Sequence, residues 1–422
     1  MKKPKTTILK NGVTVVTVAM PGNPTVTTMA LCNTGSHFET PETSGISHFL
    51  EHMVFKGTKN RNRRDIMHAL DSMGSQTNAF TGEEYTGYYA KGAQKSWSKM
   101  LDIVSDIYLN PAFPEKDLET ERGVILGEID MYEDNFKVKA VIEFENLLYG
   151  DQPAGMPILG PKENIKKFTR DTFLGYRKQH YVADATTMIV AGDINHRDVV
   201  KQAQDLFADI STSRKTKKQK IKTSQKKPAV RVHYKKTDQA HMILGVHGFS
   251  YGDKDLVVGN VLATVLGQGM SSRLFEKIRE ELGLGYYVKA SQDAFVDAGS
   301  FAVLSGVDPK RIDTAITAIL DEIRRFVDES VGDKELNKAK QYLMGNLMMQ
   351  LESSDSVAEW FGLRSVLKQD LVTPAEYTKQ IRAVTSADIK RVAKKLFVDK
   401  HLNLSIVGPY KDDKRFKNIL KF

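Results

Sequence analysis

Two histidines four residues apart, with a glutamate between them, stand in the stretch Gly45-Ile46-Ser47-His48-Phe49-Leu50-Glu51-His52-Met53-Val54-Phe55. Read as a helix, this stretch projects both imidazoles from one face, one turn above the other. That geometry suits two nitrogen ligands converging on one ion. Glu51 follows His48 by three residues and precedes His52 by one, so it stands near the ligand face at a different angle. From there it reaches a water beside the ion rather than the ion. Zinc lowers the pKa of a water it binds from about 15.7 towards 7, and an adjacent carboxylate then removes the proton. Phe49, Leu50, Met53 and Val54 remain to pack the helix into a core. A catalytic zinc also needs a third protein ligand and an open position.

A third ligand is available in "ETERGVILGEIDMYED", where Glu121 and Glu128 are seven residues apart. In a helix they lie two turns along one face, with Val124, Ile125 and Ile129 as its apolar side. Helical spacing alone does not choose between the two glutamates. The order H-x-x-E-H inverts the commoner H-E-x-x-H and is the inverzincin signature.

"HFLEH", followed by "ERGVILGEI" with Glu128 seventy-six residues after His52, resembles the pitrilysin family of zinc peptidases. That family includes insulin-degrading enzyme and the mitochondrial processing peptidase. The resemblance implies one zinc per chain held by His48, His52 and Glu128, with Glu51 as the base and Glu121 in a supporting role. "GSQTNAFTGEEYTGYYA" (Gly74–Ala90) resembles the strand pair beside the zinc, whose edge pairs with an extended substrate, with Asn78 and Ala79 at the substrate-facing part. In "SRLFEKIREELGLGYYV", Arg279 and Tyr286 resemble the pair by which the C-terminal domain holds the substrate backbone and stabilises the oxyanion. A guanidinium and a phenol are suitable donors for that charge. Tyr287 replaces Tyr286 if the register slips by one.

These residues need elements to carry them, and the chain supplies the same order twice. Strands are predicted at Val13–Met20 and Thr25–Asn33, helices around Gly45–Phe55 and Arg63–Met73, and strands at Ser75–Phe80 and Tyr85–Lys91. Helices at about Lys95–Leu109, Glu115–Tyr132 and Lys137–Tyr149, a strand at Thr186–Ala191 and a helix at His196–Phe207 complete the first half. The second half repeats the outline from Val230 onward. Its helix at Ser272–Glu281 lies between strand pairs, and a helix at Ala387–Phe397, N-capped by Ser386, precedes the last strand, Leu402–Val407. The expected fold is α+β, with two homologous domains, each a mixed or antiparallel sheet with helices packed on it. The predicted division is 1–212 for the zinc-binding catalytic domain, 213–228 for a basic linker, and 229–422 for a domain completing the substrate site.

The chain of 422 residues has a net charge of +9, and eight cations without an acid lie between Arg214 and Lys227. No aromatic residue interleaves with them, so a solvated linker is expected rather than a nucleic-acid surface. The one cysteine, Cys32, excludes an internal disulfide and reads as a buried inert thiol. No apolar run is long enough to span a bilayer, and the start has no apolar export segment, so no membrane partner and a cytoplasmic location are expected. "GQGMSSRLF" lacks the Gly-Lys-Ser/Thr ending of a phosphate loop and reads as a turn. The expected function is a zinc metalloendopeptidase that hydrolyses peptides or unfolded segments in a chamber between domains. The resemblance to half-size members of the family, which pair to close the chamber, implies a homodimer. The competing reading is a non-catalytic structural or substrate-holding subunit of a heteromeric peptidase, which the presence of both the zinc motif and the Arg/Tyr pair disfavours.

Overall fold

The computed structural model describes residues 3–421, so positions 1, 2 and 422 of the predicted division lie outside it. Strands β1 (Lys5–Ile8), β2 (Thr14–Ala19), β3 (Thr25–Cys32), β4 (Gln76–Thr81), β5 (Thr86–Ala93) and β6 (Thr186–Gly192) form one sheet in the order β1-β2-β6-β3-β5-β4. Strands β7 (Ala229–Tyr234), β8 (Ala240–His247), β9 (Gly285–Ala294), β10 (Gly299–Val307) and β11 (Asn403–Gly408) form the other in the order β7-β11-β8-β10-β9. With β1 set aside, both sheets follow one scheme. The first strand runs parallel to the last, the last pairs antiparallel with the second, and a hairpin of the third and fourth extends the second. The repeat expected from element order is therefore present as topology, and the fold is α+β.

Every residue of β6 and nearly every residue of β3 is buried, which requires cover on both faces. On one face the hydroxyls of Thr25 and Thr27 meet Ser354 Oγ at 3.2 and 2.9 Å. Those residues and Leu31 share the parity of β3, so this face belongs to the helix Ser354–Val366. A Cβ on Gly362 of that helix would fall 2.7 Å from Leu31 Cδ1 and 3.1 Å from Ile189 Cγ2, so helix and sheet approach closely only because the residue is glycine. On the other face Tyr108, from the helix Trp97–Leu109, shares a hydrogen bond of 2.7 Å with Thr186, the cross-strand partner of Cys32. Cys32 is buried and unbridged, and burial pushes its thiol up to about 12, as expected of an inert cysteine.

The two compact units cut across the linear division 1–212, 213–228 and 229–422. The first comprises residues 3–129, 157–219 and 348–375, and the second 130–156, 220–347 and 376–421. Each sheet thus takes a covering helix from the other half of the chain. In the second unit the helix Phe136–Tyr149 is that cover: a Cβ on Gly245 of β8 would lie 2.7 Å from Phe144 Cζ, and Ser405 Oγ donates to Ala140 O at 3.3 Å. Local periodicity marks these helices as amphipathic but carries no information about which sheet receives their apolar face.

Three local expectations change. The N-cap of the helix Ser386–Leu396 is Thr385, in a capping box with Asp388, and not Ser386, which already has helical geometry. The segment predicted as a helix over Ser272–Glu281 is wound as a π-helix over Phe275–Glu281. Helices Arg170–His180 and Pro374–Ala383 were not anticipated. Among the described residues no helix is long and apolar enough to cross a membrane.

Candidate metal centre

The motif helix spans Ile46–Met53 and is held at both its start and its apolar face. Gly45 precedes it with φ 96°, and a Cβ there would lie 2.6 Å from Leu159 O, so the position requires glycine. The buried Glu39 carboxylate accepts from Gly45 N–H and Ser47 N–H, both at 2.8 Å, and so satisfies two donors of the first turn. Burial pushes Glu39 up to about 7 against the pull of these two donors. Phe49, Leu50, Met53 and Val54 are fully buried, as the sequence required, and Phe49 packs edge-on against Phe173 at 5.0 Å between ring centres. The opposite face then has one orientation, which presents His48 and His52 with ring centres 4.8 Å apart.

Glu121 and Glu128 come from the helix Glu115–Asp134, which is anchored by the buried Leu118, Ile125 and Ile129. Val124, expected on the apolar side, is instead 50% exposed. The two glutamates meet different atoms. Glu128 Oε2 is 3.6 Å from both His48 Nε2 and His52 Nε2, whereas Glu121 Oε2 is 3.1 Å from His52 Nδ1. One ligand atom from each of His48, His52 and Glu128 lies within 4.8 Å of the others. The two glutamates that spacing left equivalent are thus on opposite sides of the His52 ring.

This donor set fits a zinc ion. Burial, reinforced by His52, pushes His48 down to about 4, so its imidazole is neutral, the form that binds a metal. A carboxylate only accepts, so Glu121 fixes the proton of His52 on Nδ1 and leaves the Nε2 lone pair facing Glu128 and His48. Burial opposes ionisation of Glu121, but hydrogen bonds from Lys56 and His52 outweigh it and hold the carboxyl below its usual range. Two imidazoles and one carboxylate leave a tetrahedral ion one open position.

Glu51, close enough to His52 and Glu128 to feel both charges, takes a 2.6 Å hydrogen bond from Thr81 Oγ1 at the end of β4. Burial raises its pKa, with a smaller push from Glu128, while Thr81 and His52 pull it down. β4 is the outermost strand of its sheet and pairs only with β5 among the described residues. Asn78 is exposed there and Ala79 is buried. In the second unit Arg279 lies on the π-helix, half-exposed, with its guanidinium 4.9 Å from the Phe275 ring centre. Tyr286 is the second residue of β9 and is 72% exposed. Tyr287 is engaged inward, 2.8 Å from His241 Nδ1 and beneath the Lys137 ammonium, so of the two tyrosines Tyr286 is the available phenol.

Three residues of the site escaped the sequence reading. Lys56 was legible, since it follows His52 by four residues on the same turn. Glu39 and Thr81 gave no signal, because neither shares a periodic face with the motif. Two of the linker lysines also behave unexpectedly: Lys215 and Lys218 are half-buried against the first unit.

The sequence pattern of the insulinase family, peptidase family M16, matches residues 14–162, and that of the peptidase M16 inactive domain matches residues 167–343. An uncharacterized zinc protease of Rickettsia bellii is 34% identical over 402 residues, covering 95% of this chain and 96% of its own. The uncharacterized zinc protease YmxG of Bacillus subtilis is 33% identical over 407 residues, covering 95% and 97%. Among solved structures, a protease from Helicobacter pylori superposes with a TM-score of 0.90 at 24% identity, over 96% of this chain and 99% of that one. A peptidase M16 inactive domain from Pseudomonas fluorescens gives a TM-score of 0.90 at 17% identity, over 97% and 98%. These last two likenesses are of fold.

Proposed function

The chain belongs to peptidase family M16, and from that premise we propose a zinc-dependent endopeptidase acting on peptides or unfolded protein segments. The observation that carries the proposal is the convergence of His48 Nε2, His52 Nε2 and Glu128 Oε2, with Glu51 beside them and engaged elsewhere. Zinc, when bound, supplies Lewis-acid polarisation and makes water acidic enough to be a nucleophile near neutral pH. Glu51 takes the proton from the attacking water and returns it to the leaving amine. Thr81 holds the Glu51 carboxylate while it does so. Glu121 orients His52 and adds negative charge behind it. The outer edge of β4 offers backbone N–H and C=O groups to an extended peptide, with Asn78 and Ala79 along it. Arg279 and Tyr286 supply hydrogen-bond donors to the substrate carbonyl, and two copies of the half-size chain act together.

The non-catalytic reading gains some support from the name of the second matched domain. That match falls on residues 167–343, which contain no H-x-x-E-H, whereas all three proposed ligands and Glu51 fall within residues 14–162. A complete ligand set favours an enzyme. Glu51→Gln tests it: the variant should keep its zinc while hydrolysis of a fluorogenic peptide falls by at least ~10²-fold. Near-normal turnover in zinc-loaded Glu51→Gln would remove the base from the proposal.

A further inference from the structure

We propose that Lys218 is a positioning residue for Glu51, acting through the β4–β5 turn, and that the segment around it is a functional strap and not a solvated linker. The inference rests on the reading of Glu51 as the base. Thr81, the donor to Glu51, is the last residue of β4 and pairs with Thr86, so its place depends on the turn formed by residues 82–85. Gly82 N–H donates to Tyr85 O at 2.8 Å within that turn.

The turn is held from outside at several points, all within the first unit. His37 N–H donates to Glu83 O at 2.8 Å, and Asn33 Nδ2 donates to Glu84 O at 3.1 Å. A Cβ on Gly35 would lie 2.1 Å from Gly82 O, so backbone rests directly on backbone. The remaining hold comes from the strap. Lys218 Nζ is 2.6 Å from Glu84 Oε1, and the two side chains are 12% and 2% exposed. Lys215 Nζ donates to Asn33 Oδ1, the other end of the amide that grips Glu84 O, and Thr216 Oγ1 donates to Gln179 O at 3.0 Å.

Lys217, between these anchors, is exposed. The inward residues thus differ from their neighbours in contact, not in composition. Replacing Lys218 removes the cation 2.6 Å from the buried Glu84 carboxylate, whose Oε1 also lies 3.9 Å from His37 Nδ1, and the loss draws in water or moves the carboxylate. Either response shifts the turn. A hydrogen bond to a carboxylate weakens steeply with displacement, so the consequence reaches Thr81 and Glu51 without touching the metal ligands.

The test is a double-mutant cycle on the full zinc-loaded chain, read with a fluorogenic peptide, zinc content and thermal midpoint. Thr81→Val should lower kcat by roughly tenfold to a hundredfold, the scale of a hydrogen bond to a charged group, with KM within about twofold. Thr81→Ser should restore it. Lys218→Met should lower kcat severalfold at unchanged zinc content, Lys218→Arg should recover part of the loss, and Lys217→Ser should have no effect. The double variant Thr81→Val with Lys218→Met should be no slower than Thr81→Val alone, because the two act in series. Should Lys218→Met fold poorly, Lys218→Met with Glu84→Gln removes both charges and should still lower kcat. Losses that multiply in the double variant, or full kcat in Lys218→Met or in Lys218→Met with Glu84→Gln, would overturn the proposal. An active Glu51→Gln would instead strike at the underlying function and leave the Lys218 result to be read on its own.

Discussion

Replacing each glutamate of the helix Glu115–Asp134 in turn separates a metal ligand from the residue behind one. Glu128→Gln removes one of three protein donors. Structural zinc sites with four ligands bind with ~10–16 kcal/mol, or about 2.5–4 kcal/mol per ligand, so this loss should weaken zinc by ~10²–10³-fold. Glu121→Gln leaves all three donors in place. Its cost is the charge on the hydrogen bond to His52 Nδ1, 3.1 Å away, and the uncompensated Lys56 ammonium on the same carboxylate. Loss of such an outer partner typically weakens metal by ~10–100-fold, equal to about 1.4–2.7 kcal/mol. Glu128→Gln should therefore exceed Glu121→Gln by about an order of magnitude in zinc dissociation constant. The assay is competition with a chromogenic chelator of known affinity, using protein first stripped of metal. An inverted order, with Glu121→Gln the weaker binder, would show that the approach of Glu128 Oε2 to both Nε2 atoms is not the coordinating arrangement.

Two further expectations concern residues away from the metal ligands. Arg279→Ala and Tyr286→Phe should each lower turnover by ~10²–10³-fold with zinc content and thermal midpoint unchanged, the cost of losing an oxyanion donor. A loss confined to KM would assign them to substrate holding alone. His180 is buried, stacks on Tyr176 at 4.1 Å and meets Thr34 Oγ1 at 3.1 Å through Nδ1, and burial pushes it down to about 4. Since an unfolded histidine takes its proton near 6.5, the folded state binds fewer protons in between. The stabilisation from neutral His180 is complete above pH 6.5 and is lost as pH falls towards 4. Denaturant midpoints should then show the advantage of the wild type over His180→Gln shrinking by about 2 kcal/mol between pH 7 and 5. A pH-independent difference would contradict the depressed pKa.

Much of the site was written into local sequence. The spacing of His48 and His52 placed both imidazoles on one face because a helix repeats every 3.6 residues. The apolar run Phe49, Leu50, Met53 and Val54 determined which face would be buried. The repeat of element order appeared as one topology used twice, since strand and helix periodicities are local properties that survive translation along the chain. Tertiary structure decided what periodicity leaves degenerate. Glu121 and Glu128 are equivalent on their own helix, and only the docking of that helix against His52 sets one at Nε2 and the other at Nδ1. Thr81 and Glu39 join the site across thirty and six or eight residues of chain, through contacts that obey no sequence period. Lys218 reads as one cation among eight until a buried carboxylate selects it. The exchange of covering helices between the two halves follows the same logic. A sequence specifies that a face is apolar, but which sheet covers it is settled by the shape of the surface that accepts it.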